Sequence, residues 1–230
     1  LFRNGGKRRG AGRKPSGARA RTKHDKRPEL SASHPVHVTL RMAPEIGNLR
    51  CSAGYRAIRA AAQVATARDR IRIAHYSIQG NHVHLIIETH SKAALALGMQ
   101  GFQISIARHI NTVLRANGRR RRGNVFADRY HAVVITSPTQ MRHVIAYVLG
   151  NWRKHGEDRR TLRGWLVDPF SSGFAFEGWQ ERERGVALVP PGDHPWICPR
   201  EARTWLLREG WKRAGAISVF AIPGSRPPGP

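Results

Sequence analysis

His82 and His84 stand two residues apart in the run Gln79-Gly80-Asn81-His82-Val83-His84-Leu85-Ile86-Ile87-Glu88. On an extended strand that spacing turns both imidazoles to one face. Paired neutral imidazoles are a partial ligand set for a divalent cation. Further along, Tyr147 and Asn151 bracket Val148-Leu149-Gly150, and on a helix residues four apart share a face. If that face lies over the strand, two imidazoles and an amide oxygen converge on one cation with a phenol beside it. Such a grouping suits attack by tyrosine on a phosphodiester. The cation polarises the phosphoryl oxygen, and the tyrosyl ester conserves the energy of the broken bond, so the strand can be rejoined.

Other residues compete for these roles. A His-x-His pair alone also fits the polar face of a half-buried strand. Tyr130, in Asp128-Arg129-Tyr130-His131, is the rival phenol, but it begins a strand. Tyr55 and Tyr76 fall where side chains face a core. Glu88 shares a strand face with His84 but lies far along it. His90, His131, His143 and His155 read as surface residues or satisfied core groups.

The elements that must position these groups follow from periodicity. Residues 36–41 alternate at a period of two and read as a strand, as do 71–78 and the stretch from His82, with a tight turn over 79–81 between them. Residues 53–67 are alanine-rich with helical spacing. Ser91 caps a helix over 92–116, with Leu95, Met99, Phe102, Ile106 and Ile110 as its apolar stripe. Residues 130–136 form another strand. Ser137 and Pro138 open a helix that carries Tyr147 and runs to about residue 154. The order β-α-β-β-α-β-α predicts an α+β fold: an antiparallel sheet with helices packed on one face, ferredoxin-like in arrangement. Residues 199–213 read as a short amphipathic helix with Ala202, Trp205, Leu206 and Leu207.

The 230 residues carry 40 Lys and Arg against 15 Asp and Glu, a formal net charge of +25. A field of that sign makes nucleic acid the expected partner. No apolar run approaches the ~20 residues of a membrane span, and no signal-type apolar segment follows the basic start. The expectation is a cytoplasmic, nucleoid-associated protein that does not enter a membrane. Two cysteines, Cys51 and Cys198, make no disulfide framework and no Cys-based zinc site. Residues 1–33 read as a basic arm with almost nothing apolar to bury; Arg8, Arg9, Arg13 and Lys14 there suit phosphate contact. The run Arg119, Arg120, Arg121, Arg122, together with Arg129, Arg153 and Lys154, suits the same role. Residues 34–156 read as the catalytic domain, and 157–230, rich in Trp, Pro and Gly, as an accessory segment.

His82-Val83-His84 after Gln79-Gly80-Asn81, followed by a helical Tyr147-x-x-x-Asn151, resembles the HUH single-strand DNA nucleases. Among them it is similar to the one-tyrosine transposases of insertion sequences and their REP-associated relatives. The resemblance covers about residues 35–156. It implies an HUH-nuclease core with His82, His84 and Asn151 as ligands of Mg²⁺ or Mn²⁺ and Tyr147 as nucleophile. It implies nicking of single-stranded DNA beside a hairpin through a 5′-phosphotyrosine link, by a monomer or a homodimer. In the REP-associated relatives the asparagine is usually followed by proline; here Trp152 follows. The alternative from another class is a non-catalytic protein that binds hairpin DNA or RNA on the same sheet.

Overall fold

The computed structural model describes residues 29–67, 69–160, 164–190, 192, 197 and 199–224. Arg8, Arg9, Arg13 and Lys14, and most of the basic arm, lie outside these residues.

Four strands, β1 (Val36–Arg41), β2 (Arg72–Ile78), β3 (His82–Glu88) and β4 (His131–Val134), form one antiparallel sheet in the order β2-β3-β1-β4. Three long helices connect or follow them: α1 (Ser52–Ala67), α2 (Lys92–Ala116) and α3 (Pro138–Lys154). This is the predicted α+β, ferredoxin-like core. Helix starts follow local chemistry. The Ser91 hydroxyl accepts the Ala94 N–H at 3.1 Å, and the Ser137 hydroxyl accepts the Gln140 N–H at 3.2 Å. Each cap is worth about 1 kcal/mol.

The alternation of β1 sorts the sheet into two faces. Val36, Val38 and Leu40 join Val83, Leu85 and Ile87 of β3 in a cluster with Phe102 and Ile106 of α2 and Ile58 of α1. The other face carries α3, whose Met141, Ile145, Val148 and Leu149 pack with Ile86 and Ala74. The expectation of helices on one face is therefore corrected: α1 and α2 cover one side and α3 the other. An irregularity between Ile73 and His75 in the β2–β3 pairing lets β2 keep Ile73 and Tyr76 in the first cluster while Ala74 joins the second.

Described residues beyond 156 pack onto this frame. Ile78 N–H donates to Phe170 O, and Ser172 N–H to Tyr76 O, so the free edge of β2 is covered rather than left open to pairing. Arg50 meets Asp168 through two bonds of 2.9 Å, with side chains 4% and 0% exposed. The Ile197 N–H reaches the hydroxyls of Tyr55 and Tyr76. Val167, Phe176, Trp179, Trp211 and Ile217 complete the cluster under α3.

The helix expected over 199–213 is much shorter, and this is a second correction. Only α5 (Trp205–Arg208), preceded in the chain by the equally short α4 (Gln180–Glu183), and a 3-10 segment, Gly210–Ala214, form there. The physical reason lies upstream. The N–H groups of Arg203 and Thr204 are taken by the Glu88 carboxylate at 2.6–3.0 Å, and Arg200 N–H by Ile73 O. That stretch is held extended against the sheet. Trp205, expected on the apolar stripe, is 48% exposed with the Arg213 guanidinium 4.9 Å from its ring.

Candidate active site

The site lies where the polar face of β1 and β3 meets α3. Strand pairing sets Thr39 opposite His84 and Arg41 opposite His82. Ser77 of β2 is paired with His84 on its other side. One row of the sheet therefore runs Thr39, His84, Ser77. The next brings His37 opposite Ile86, one step along the same face.

His84 is buried, 3% exposed. Its Nδ1 is 3.1 Å from His37 Nε2 and 3.1 Å from Thr39 Oγ1, and its Nε2 is buried with no protein partner among the described residues. His82 is half-buried and donates from Nδ1 to Asn81 Oδ1 at 2.8 Å. A neutral imidazole that donates from one nitrogen carries its lone pair on the other. His82 therefore presents Nε2 unprotonated. The two rings lie 4.7 Å apart, edge to face, and His155 at the end of α3 lies 5.4 Å from His82.

From α3, the Tyr147 ring meets His84 at 5.1 Å and His37 at 5.9 Å. Tyr147 is half-buried, and Lys154 Nζ sits 5.4 Å from its ring centre. One turn on, Asn151 is fully buried, and neither its Oδ1 nor its Nδ2 has a partner among the described residues. Gln79, in the β2–β3 turn, bonds Ser77 through Nε2 at 2.7 Å and leaves Oε1 buried and unpartnered. Dehydrated lone pairs of this kind cost roughly 1–3 kcal/mol each when nothing meets them. Two of them, His84 Nε2 and Asn151 Oδ1, belong to the chemistry that a small divalent cation takes. On that observation the residues fit the cation they were expected to hold. The donor set is mixed: among the described residues no group of three or more His, Cys, Asp or Glu side chains stands ready for a metal.

Burial pushes the His84 imidazole down to about 2, with His37, His82, His155 and Lys154 adding positive repulsion. Burial, then His155 and Arg41, pushes His82 to about 4. Burial, then His131, does the same to His37. An ordinary imidazole loses its lone pair to a proton near ~6.5; these keep theirs well below neutrality.

The sequence-derived residues divide. Tyr147, His82 and His84 are brought together, with Asn151 one helical turn behind. Tyr130 is buried in the cluster on the opposite face, 6% exposed, away from the imidazoles. Tyr55 and Tyr76 are buried there too. Glu88 anchors Arg203 and Thr204 instead of joining the site. Arg153, expected as a DNA contact, is bonded within the protein. Its Nε bonds Val219 O at 2.7 Å, Nη1 bonds Asp158 at 3.1 Å and Nη2 bonds Leu166 O at 2.9 Å. It staples α3 to the chain that follows. Arg119 and Arg121 bond backbone carbonyls of Glu45, Gly123 and Asn124, so they shape their own loop. Arg120, Arg122, Arg129 and Lys154 are exposed. Sequence reasoning missed His37, Thr39 and Arg41. The signal was present: all three are the outward positions of an alternating strand, but the pairing of β1 with β3 is not written locally.

The family model described as "Transposase IS200 like" matches residues 36–151. A solved REP-associated tyrosine transposase bound to a REP hairpin is similar in fold: 17% identity, TM-score 0.51, 79% of this chain and 99% of that one. A candidate transposase of Deinococcus radiodurans R1 shares 9% identity at TM-score 0.39, over 61% of this chain and 98% of that one. No curated protein matches the chain.

Proposed function

The chain belongs to the IS200-like transposase family, and we propose that it nicks and rejoins single-stranded DNA beside hairpins through a 5′-phosphotyrosine link. The observation that carries this is the Tyr147 ring packed 5.1 Å from the buried, half-unpartnered His84. Residues 34–156 act as the catalytic unit. Tyr147 Oη attacks the phosphorus, the Oη–P bond forms, and the P–O3′ bond breaks. The phenolic proton is lost to solvent, and the departing O3′ takes one up. Attack of a 3′-hydroxyl on the tyrosyl phosphate reverses the sequence and rejoins a strand. Lys154, beside the Tyr147 ring, would meet the phosphate that Tyr147 attacks. His82 and His84 through Nε2 and Asn151 through Oδ1 would hold Mg²⁺ or Mn²⁺. When bound, the cation supplies charge that polarises the phosphoryl oxygen. The site histidines stay neutral at physiological pH, so their lone pairs are available for that role.

Arg41, paired with His82, and Lys154, beside Tyr147, flank the site; these and the exposed Arg120, Arg122 and Arg129 would hold DNA phosphates, as would Arg8, Arg9, Arg13 and Lys14 of the arm. The solved relative was captured with a REP hairpin, and hairpin DNA is the partner proposed here. Among the described residues no helix is long and apolar enough to cross a membrane.

The test is Tyr147→Phe with a labelled hairpin and Mn²⁺, read by denaturing electrophoresis. The parent forms a covalent band and the variant forms none, while its unfolding midpoint stays close to the parent's. Tyr130→Phe keeps the band. An adduct surviving Tyr147→Phe, or one mapped to the peptide holding Tyr130, overturns the assignment. No adduct from the parent on any single strand supports a binding module instead.

A further inference from the structure

At the far end of β3 from His82 lies a cavity of about 220 Å³ walled by Ala32, Asp69, Arg70, Arg72, Glu88–His90, Arg203 and Thr204. Four to six residue steps along the strand, at about 3.4 Å each, put it roughly 14 Å from His84 and roughly 20 Å from His82. Its charges do not cancel evenly. The Glu88 carboxylate is already occupied by the N–H groups of Arg203 and Thr204 and by Arg72 Nε at 3.8 Å. Asp69 is 76% exposed and lies 3.9 Å from Arg72. That leaves the exposed guanidinium groups of Arg70 and Arg203, whose side chains have no hydrogen-bond or ion-pair partner among the described residues. His90 adds a further donor to the wall.

A second, independent feature lies in the same wall. Thr204 is 8% exposed, and its Oγ1 is buried without a partner among the described residues. A buried hydroxyl beside two uncommitted guanidinium groups is a donor set for the tetrahedral oxygens of a phosphate. The volume is ample for one phosphate with its waters. Ala32 in the wall also shows where the chain comes in from residues 1–28, which are rich in Lys and Arg.

We propose that this cavity is a phosphate subsite for the DNA backbone, with Arg70, Arg203 and the Thr204 hydroxyl as its donors. It rests on the reading of the chain as a DNA-strand transferase. It gives the DNA a second hold roughly 14–20 Å from the site histidines, about the rise of four to six base pairs at ~3.4 Å each.

The experiment uses the full chain in a Tyr147→Phe background with EDTA, so only binding is read. Hairpin DNA affinity is measured by fluorescence anisotropy across a salt series for the parent background, for Arg70→Ala/Arg203→Ala, and for Thr204→Val. The double variant binds about 5- to 10-fold more weakly, and its log–log salt slope is shallower by roughly 0.7–0.9, one phosphate's share. Thr204→Val, which keeps side-chain volume, weakens binding about two- to threefold and carries the same decision if the double variant fails to fold. Equal affinity and slope in both folded variants overturn the proposal. A parallel titration with inorganic phosphate, followed by ³¹P NMR, separates the two sources of the ligand. Saturable phosphate binding lost in Thr204→Val, with an unchanged DNA slope, assigns the cavity to free phosphate and overturns the DNA assignment. Because no cleavage is measured, a chain that never forms an adduct can still pass this test, and an active one can fail it.

Discussion

On the side of the sheet that meets α1 and α2, β1 contributes Val36, Val38 and Leu40, all fully buried. On the side that meets α3, the same strand contributes His37, Thr39 and Arg41. The first face is held by apolar burial, which tolerates exchange of similar volumes. The second carries a row of polar side chains, with unpartnered atoms on His84, Gln79 and Asn151. It closes only because a further apolar cluster, drawn from α3 and residues beyond 160, surrounds that row. One strand thus serves stability on its even positions and chemistry on its odd ones. The stabilisation of the chemical face comes from chain far away in sequence.

The largest expected effects separate the two faces cleanly. Phe102→Ala, in the apolar cluster with 0% exposure, loses roughly 3–5 kcal/mol of stability, while cleavage per folded molecule stays at the parent value below the unfolding transition. His84→Ala does the reverse: cleavage falls by about 100-fold or more with stability within roughly 1 kcal/mol of the parent. Urea unfolding and single-turnover cleavage of a hairpin substrate read both quantities. A folded Phe102→Ala that cannot cleave would break the division of labour between the faces.

A smaller effect sharpens the comparison within the polar face. His37 Nε2 and Thr39 Oγ1 both lie 3.1 Å from His84 Nδ1. Both contacts orient the ring, and the proposed cation would meet its Nε2. Outer partners of this kind typically contribute 10- to 100-fold in metal affinity. His37→Ala is expected to weaken Mn²⁺ binding by about 10-fold, measured by electron paramagnetic resonance of free Mn²⁺, and Thr39→Val by less. Unchanged affinity in the double variant would mean that His84 is oriented by packing alone.

How far the sequence revealed this arrangement differs between the faces. Periods of two and 3.6 marked β1, α2 and α3 almost to the residue, and the Ser91 and Ser137 caps stood in plain view. Those are local signals, each contained within a few residues. The His82–His84 pair on β3 and the Tyr147–Asn151 pair on α3 were legible because each spacing lies within a single element. His37 and Thr39 were not, since their role depends on β1 lying beside β3, a pairing between residues some 45 positions apart. The roles of Glu88, Arg50 and Arg153 were hidden for the same reason. Each is satisfied by backbone or a carboxylate that arrives from elsewhere in the chain. Helix α3 on the second face was missed because a β-α-β-β-α-β order says nothing about where a seventh element packs.

The finest test of the comparison is acid. Four histidines on the α3 side are held neutral, chiefly by burial: His37, His75 and His82 near about 4, and His84 near about 2. In the unfolded chain each titrates near ~6.5. Between those values the unfolded state binds more protons than the native one, so stability is fully present above ~6.5 and is lost as pH falls toward the folded values. The loss is at most about 1.4 kcal/mol per pH unit for each histidine, less where the ring is partly exposed. His75, which contacts Ser172 and Phe176 rather than the site, isolates one share. In metal-free buffer the unfolding free energy is expected to fall between about pH 7 and pH 5, and His75→Gln to flatten that fall by one histidine's part. Hydrogen exchange should show α3 and the residues beyond 164 losing protection before α2, because the apolar cluster has no proton to take up. Protection lost first in α2, or stability unchanged over that interval, would show that the two faces do not differ in the way their side chains imply.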